Sequence, residues 1–201
     1  MKKDKVFLLL NGDKPNQLPN LDEYKLICAT DGAYKYLEEN NISPNFVSGD
    51  FDSLNIFPKE IDFIETPNQD FTDFDKILQI LFDKGFYHID VYGASGSEQD
   101  HFLGNLHTAV QWQHKLKLTF FDNHSMYYLA DKRTIIKNCK EKIVSLIPFP
   151  EAKQITTQGL QYPLEKGNLT FGERIGSRNK AIKNEVGISF TEGNLFIFIN
   201  H

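Results

Sequence analysis

The sequence has little of what marks secreted, membrane-bound or nucleic-acid-binding proteins. Its two cysteines, Cys28 and Cys139, lack C-x-x-C partners, so neither a disulfide framework nor a zinc site is indicated. No stretch approaches the roughly 18 apolar residues of a membrane-spanning helix, and the apolar run at residues 6–10 is too short for a signal peptide. The net charge is −5, so a nucleic-acid binder's basic surplus is absent. We expect a cytoplasmic protein that binds neither membranes nor nucleic acid.

The first part of the chain alternates apolar strand-like runs with helical patterns. The runs are KVFLLLNG, YKLICATDG, PNFVSGDFDS, YHIDVYG and LKLTFFDN. The clearest helix follows Thr72, a predicted N-cap, and ends before Gly85; its apolar residues Phe74, Ile77, Leu78 and Leu81 fall at helical spacing. Strands that alternate with helices indicate a parallel sheet covered by helices on both faces.

After Asn123 the pattern changes to short β-prone runs separated by turn signals. The runs are KIVSLIPF, QITTQGLQYPL, LTFGERIGS, EVGISF and NLFIFIN, and TEGN at 191–194 predicts a hairpin between the last two. The sequence therefore predicts two domains, an α/β domain over residues 1–123 and a smaller all-β domain over residues 124–201.

Acidic residues follow several of the predicted strands in the first domain. Asp31 follows the second strand, Asp50 and Asp52 follow the third in SGDFDS, Asp70 and Asp73 lie before and at the start of a helix, and Asp100 opens the next helix. In an open α/β sheet, ligands bind beyond the carboxyl ends of the strands. Carboxylates gathered at that edge repel one another unless a cation lies between them, so the pattern predicts a Mg²⁺ site.

Each of these features also has a simpler interpretation. An isolated Asp-x-Asp pair can be a turn or a cap, and Asp73 and Asp100 can merely complement helix dipoles. Lys76, three residues after Asp73, can face a phosphate or simply pair with Asp73 on the surface. The loop GASGSEQDH at 93–101 can present backbone N–H groups to phosphate, although it is neither a Walker A motif nor a complete G-x-G-x-x-G.

Five motifs occur in a characteristic order along nearly the whole chain. They are DGA (31–33), SGDFDS (48–53), TPNQDFTDFDK (66–76), GASGSEQDHFLGN (93–105) and TTQGLQYPL (156–164). Together they resemble the thiamin pyrophosphokinase family. The resemblance implies an open, mostly parallel α/β catalytic domain at 1–123 that binds ATP and Mg²⁺, followed by a thiamin-binding β-sandwich domain at 124–201. It also implies transfer of diphosphate from ATP to the hydroxyl of thiamin, giving thiamin diphosphate and AMP, by a homodimer whose sites are shared between subunits.

The resemblance also implies roles for individual residues. The catalytic residues would be Asp73, Lys76 and Asp100, and either Asp73 or Asp100 could accept the proton of the thiamin hydroxyl. The metal ligands would be Asp50, Asp52, Asp70, Asp73 and Asp100. The substrate-binding residues would be Asp31, Gln69, Asn105, Tyr162, Ser177 and Asn179.

Three differences from the family pattern affect the expected site. The glycine-rich loop of the family often carries Gly-Gly-Arg, whereas this chain has Gly96-Ser97-Glu98, so an acid replaces a basic phosphate contact. Arg174 or Arg178 of the second domain could supply the lost charge. Arg178 itself stands in GSRN, where a small residue is usual, and Tyr162 stands where many members have tryptophan.

Two other functions stay open at this point. One is a diphosphotransferase or nucleotidyltransferase that uses the same metal site on another alcohol; release of free pyrophosphate would indicate nucleotidyl transfer. The other is a sensor of thiamin or a nucleotide without catalytic activity, which would bind its ligand without Mg²⁺-dependent turnover. The Glu98 departure favours the sensor, whereas the acidic residues and Lys76 favour the enzyme.

Overall fold

The computed structural model describes residues 4–51 and 61–201. The chain divides into two compact units, residues 1–123 (unit 1) and residues 124–201 (unit 2). Each unit has its own pattern of strands and its own buried residues, and each is described by itself below.

Unit 1 contains a parallel sheet with helices in the connections. Its strands are β1 (Lys5–Leu9), β2 (Leu26–Thr30), β3 (Phe46–Gly49), β4 (Asp62–Glu65), β5 (His88–Tyr92) and β6 (Lys117–Phe121). Its helices are α1 (Asp31–Glu39), α2 (Asp73–Asp83) and α3 (Gln99–Trp112), with a short 3-10 turn at Leu21–Glu23. The strand order is β4-β3-β2-β1-β5-β6, and the neighbouring pairs run parallel. The predicted α/β sheet is therefore present, and β4 is a short strand that the sequence patterns did not indicate.

Helices cover both faces of this sheet, as two adjacent phenylalanines of β6 demonstrate. Phe121 stacks on Tyr92, which belongs to a buried cluster with Ala33 of α1. Phe120 instead contacts Phe74 of α2 edge to face. Since successive strand residues point to opposite faces, α1 and α2 lie on opposite sides. The predicted cap of α2 is confirmed, because the backbone N–H of Asp75 donates to Thr72 Oγ1 at 3.2 Å.

A polar network is buried within unit 1. The Asp90 carboxylate is 1% exposed and accepts hydrogen bonds from the Lys5 ammonium and, at 2.9 Å, from the Tyr24 hydroxyl. The Tyr24 and Tyr92 hydroxyls lie 3.3 Å apart. Burial is the main cause that raises the pKa values of both tyrosines, to about 12 for Tyr92. The buried carboxylate is thus paired and hydrogen-bonded, as a buried charge requires.

Unit 2 is built from antiparallel strands. They are β7 (Ser125–Leu129), β8 (Arg133–Lys137), β9 (Ile143–Gln158), β10 (Gly167–Thr170), β11 (Gly176–Lys180), β12 (Glu185–Ser189) and β13 (Glu192–Asn200). They follow the order β7-β13-β9-β12-β8, and β10 and β11 also pair with β9. The long strand β9 pairs with β13 over most of its length and with β12 only at Thr156–Gln158. Strand β9 is therefore the element on which unit 2 is organised.

The structure corrects two sequence predictions for unit 2. The runs KIVSLIPF and QITTQGLQYPL were treated as separate, but residues 143–158 form one strand. The hairpin predicted at TEGN is wrong, because within unit 2, all of whose residues are described, β12 and β13 pair with β9 and not with each other. The backbone N–H of Thr191 donates to the Lys153 carbonyl of β9 at 3.0 Å. Ser189 pairs with Thr156 and Glu192 with Lys153 in the same register, so the chain continues along β9 instead of turning back.

Among the residues described here, no helix is long and apolar enough to cross a membrane. Cys28 and Cys139 are free thiols, and both are buried.

Candidate active site

A cavity of about 570 Å³ lies in unit 1, where the strands end and the helices begin. The loop after β1, the start of α1, the end of β3, the loop before α2 and the glycine-rich loop after β5 all line it. Its lining includes these predicted site residues: Asp31, Asp50, Gln69, Asp70, Asp73, Lys76, Asp100 and Asn105. The structure thus brings them together at the carboxyl ends of the strands, as the strand-end rule predicts. Asp52, the remaining predicted acid, lies outside the described residues.

The first residues of SGDFDS are arranged around Asp31. A Cβ atom at Gly49 would overlap the carboxyl group of Asp31, so glycine is needed for this carboxylate to approach the end of β3. Phe51 has a φ of 59°, a left-handed conformation that is costly for a bulky residue. Its backbone N–H donates to Asp31 Oδ2 at 3.1 Å, and its ring contacts Phe63 edge to face. These contacts hold Asp50, the residue before Phe51, at the cavity.

The acidic residues of the cavity influence one another. Burial raises the pKa of Asp31, and the negative charges of Asp73 and Asp50 raise it further. Hydrogen bonds from the backbone N–H groups of Gly32 and Phe51 oppose this effect. The cavity is therefore a region of negative potential that a cation would stabilise.

Lys76 is the cationic partner within this acidic lining. Its side chain is 10% exposed, and its ammonium lies 2.7 Å from Asp73 Oδ1 and donates to the carbonyl of Thr66 at 2.9 Å. The ammonium is thus fixed in one position near the start of α2. The pair with Asp73 that the simpler interpretation expects is therefore present, but the Lys76 side chain is largely buried beside the cavity and does not extend over the surface.

The loop after β5 approaches the loop after β1 closely, and glycine makes this possible. Gly93 has a φ of 68°, and a Cβ atom there would overlap the carbonyl oxygen of Leu10. The backbone N–H of Gly12 donates to the carbonyl of Gly93 at 2.8 Å. Asn105 of α3 holds the same loop, because its Nδ2 donates to the carbonyl of Ala94 at 2.8 Å. The amide of Asn105 therefore has a structural role in addition to any role in binding.

Two acids stand at the start of α3. The Asp100 carboxylate accepts a hydrogen bond from the backbone N–H of His101 at 3.0 Å. Glu98 also lines the cavity, and its carboxylate lies 3.6 Å from His101 Nε2. The unusual Glu98 thus adds negative charge to an already acidic lining.

The carboxylates that the structure describes do not form a closed metal cage by themselves. Over residues 4–51 and 61–201, no three His, Cys, Asp or Glu side chains are close enough to hold a metal ion. The donors are nevertheless the hard oxygens that Mg²⁺ prefers, and Mg²⁺ commonly uses one or two carboxylates together with phosphate oxygens. Together with the raised pKa of Asp31, this chemistry fits a metal that binds with a phosphate ligand.

The other predicted substrate residues lie in unit 2. Tyr162 is 66% exposed. Asn179 holds the backbone of Tyr162 on both sides: its Oδ1 accepts from the Tyr162 N–H at 3.1 Å, and its Nδ2 donates to the Tyr162 carbonyl at 2.7 Å. Ser177 is exposed, as are Arg174 and Arg178, the arginines expected to supply charge. The structure therefore gives Asn179 a positioning role toward Tyr162.

Some lining residues were not predicted from the sequence. Leu10, Asn11 and Gly12 follow β1, and Phe71, 54% exposed, stands between the predicted Asp70 and Thr72. The strand-end rule, applied to the LNGDK stretch after the first strand, would have indicated Asn11 and Gly12.

Comparisons with known proteins match one family in both units of the chain. The family described as "Thiamin pyrophosphokinase, catalytic domain" matches residues 19–120, and "Thiamin pyrophosphokinase, vitamin B1 binding domain" matches residues 132–195. The chain is 28% identical to thiamine pyrophosphokinase of Bacillus subtilis over 96% of this chain and 97% of that protein. It is 25% identical to thiamin pyrophosphokinase 1 of Caenorhabditis elegans, over 95% and 87% of the two chains. A crystal structure of the Bacillus subtilis protein covers 98% of both chains with a TM-score of 0.81 and 25% identity.

Proposed function

Since this chain belongs to the thiamin pyrophosphokinase family, we propose that unit 1 binds ATP in its acidic cavity and that unit 2 binds thiamin. The chain is an enzyme of this family, whose reaction transfers a diphosphate group from ATP to the hydroxyl of thiamin and yields thiamin diphosphate and AMP. One observation carries the proposal for unit 1: the acids predicted from the strand ends and Lys76 line a single cavity.

The acidic lining suits a metal-bound nucleotide better than a free one. ATP is itself strongly negative, and lining carboxylates would repel it without a cation. The predicted ligands Asp50, Asp70, Asp73 and Asp100 line the cavity, and one or two of them would hold the metal together with phosphate oxygens. Asp52 stays a further predicted ligand. Mg²⁺, when bound there, would neutralise charge on the phosphate groups and polarise them toward attack.

The chain's own residues supply position, charge and a proton acceptor. Lys76, held by Asp73 and the Thr66 carbonyl, would stabilise negative charge on the transferring group. We assign the acceptor of the hydroxyl proton to Asp100, because the Asp73 carboxylate is paired with Lys76 at 2.7 Å. Asp31, Gln69 and Asn105 complete the proposed nucleotide site.

We propose that unit 2 is the thiamin-binding β-sandwich domain of the family and that unit 1 is the catalytic domain. The exposed Tyr162 would stack on the rings of thiamin, a cation, and Asn179 would fix the backbone of Tyr162 for this contact. Ser177 remains a candidate hydrogen-bonding residue. We also propose that the protein is a homodimer, because the exposed apolar side chains of Phe171, Ile175 and Ile182 suit a contact between subunits. We propose a cytoplasmic location, because the free thiols of Cys28 and Cys139 suit a reducing compartment.

Product analysis tests the function. Purified protein is incubated with thiamin, ATP and Mg²⁺, and AMP and thiamin diphosphate are measured together, with and without EDTA. Equal amounts of the two products, abolished by EDTA and restored by excess Mg²⁺, are expected. ADP with thiamin monophosphate, free pyrophosphate, or binding of thiamin without any product would each contradict the proposal.

A further inference from the structure

The acidic cavity contains too little positive charge for a triphosphate. Its acidic lining residues are Asp31, Asp50, Asp70, Asp73, Glu98 and Asp100. Lys76 is the single lysine or arginine among the described lining residues, and its ammonium is already bonded to Asp73 and to the Thr66 carbonyl. A second cation near the cavity would therefore matter for binding a polyanion.

Lys14 places an ammonium group beside this lining. Its Nζ donates to the carbonyl of Leu10 at 3.3 Å and to Oδ1 of Asn11 at 3.2 Å, and both of these residues line the cavity. The Leu10 carbonyl is also the group that Gly93 of the glycine-rich loop approaches. The Lys14 ammonium thus lies next to the two loops after β1 and β5.

The loop that carries Lys14 is firmly anchored. Asn123 Nδ2 donates to the Lys14 carbonyl at 3.1 Å, and Asn123 Oδ1 accepts from the N–H of Asn16 at 2.7 Å. The Tyr36 hydroxyl donates to the Pro15 carbonyl at 3.0 Å. The backbone at Lys14 and at the two residues after it is therefore held by these contacts.

The hydrogen-bond partners of the Lys14 ammonium do not compensate its positive charge. Both of its acceptors are neutral, and in the described part of the chain no carboxylate lies within ion-pair distance of it. Asp13, the nearest acid in sequence, packs its carboxyl group against Gly96. Burial lowers the pKa of Lys14, and the charge of Asp13 opposes this effect only in part. An ammonium has three N–H donors, so one remains after the two neutral acceptors are counted.

We propose that Lys14 uses this remaining donor to bind the phosphate groups of the nucleotide, as a second phosphate-binding lysine beside Lys76. The inference rests on the proposed ATP site in unit 1. It replaces the earlier expectation that Arg174 or Arg178 supplies the missing charge. The competing interpretation is that Lys14 only fastens the loop after β1.

Calorimetric binding of ATP and of adenosine, each with Mg²⁺, separates the two interpretations. Lys14→Met removes the charge, Lys14→Arg retains it, and Lys35→Met, whose lysine is 80% exposed on α1, is the matched control. Lys14→Met is expected to weaken ATP binding by about 10-fold to 100-fold, the range of one charge-assisted hydrogen bond. Adenosine binding, thiamin binding and the melting temperature are expected to stay close to those of the native protein, and Lys35→Met is expected to change nothing.

Three results would overturn the proposal. One is unchanged ATP affinity in Lys14→Met. Another is an equal loss of ATP and adenosine affinity together with a lower melting temperature, which would assign Lys14 a structural role. The third is a native protein that binds no ATP, which would remove the proposed function as well. If the native protein binds ATP but produces no AMP, and Lys14→Met still weakens ATP binding selectively, the phosphate contact stands and the proposed reaction fails.

Discussion

Replacing Lys76 with methionine tests the charge balance of the proposed site. Methionine keeps most of the apolar stem but removes the ammonium. Two charges about 4 Å apart attract by about 4 kcal/mol at an effective dielectric constant of about 20. Part of this attraction also stabilises bound ATP before transfer, and kcat/KM reports both parts. Only the part that is stronger in the transition state changes kcat.

We therefore expect Lys76→Met to lower kcat/KM for ATP by about 100-fold to 1000-fold, which corresponds to about 3–4 kcal/mol. Its effect on stability should be much smaller. The Thr66 carbonyl loses one hydrogen bond, worth about 1 kcal/mol, and the pair with the half-exposed Asp73 adds about 0.3–0.5 kcal/mol. The melting temperature should fall by only a few degrees.

Steady-state kinetics with varied ATP, alongside thermal unfolding followed by circular dichroism, measure both effects. Lys35→Met removes a lysine from the exposed face of α1 and serves as control, with native kinetics expected. The reasoning is refuted if Lys76→Met retains native kcat/KM, or if its activity is lost only in proportion to the protein that unfolds.

The remaining predictions concern packing, pH and positioning. Gly93→Ala should lower the free energy of unfolding in urea by more than Gly85→Ala does. Both glycines have a positive φ, which costs alanine about 1–2 kcal/mol, but only at Gly93 would the added Cβ atom also overlap a backbone atom. Equal losses in the two variants would contradict this explanation. Burial is the main cause that raises the pKa values of Tyr92 and Tyr128 to about 12. In the unfolded chain these tyrosines release their protons near pH 10. The free energy of unfolding should therefore fall as the pH rises above about 10. In an alkaline titration, their tyrosinate absorbance should appear together with unfolding; ionisation of every tyrosine near pH 10 in the folded protein would be inconsistent with this. Asn179→Ala should raise KM for thiamin several-fold with little change in kcat, whereas Asn184→Ala at an exposed site should not; unchanged KM in both would remove the positioning role of Asn179.

The strand-end rule explains why much of the cavity could be predicted from the sequence. Asp31, Asp50 and Asp73 each follow a buried strand or begin the next helix, and parallel strands bring such positions to one edge whatever the details of packing. Local signals were similarly reliable for α2, whose cap and end depend on Thr72 and Gly85, residues close to the helix itself.

Contacts between distant segments could not be predicted in this way. The approach of Gly93 to Leu10 depends on the pairing of β1 with β5, which are far apart in the chain. In unit 2, the runs KIVSLIPF and QITTQGLQYPL were predicted as separate, and Pro148 and Pro150 lie near the end of the first run. The strand β9 nevertheless continues through both, since its pairing with β13, β10 and β12 is set elsewhere in the chain.

The central claim is that the carboxylates of unit 1 hold a divalent metal together with the phosphates of ATP. Mn²⁺, which also prefers oxygen ligands, can be followed by electron paramagnetic resonance with ATP and excess protein. The native protein should bind Mn²⁺ in an ATP-dependent manner, and Asp50→Asn and Asp73→Asn should each weaken that binding at least tenfold while the protein stays folded. Native Mn²⁺ affinity in both variants would contradict the account.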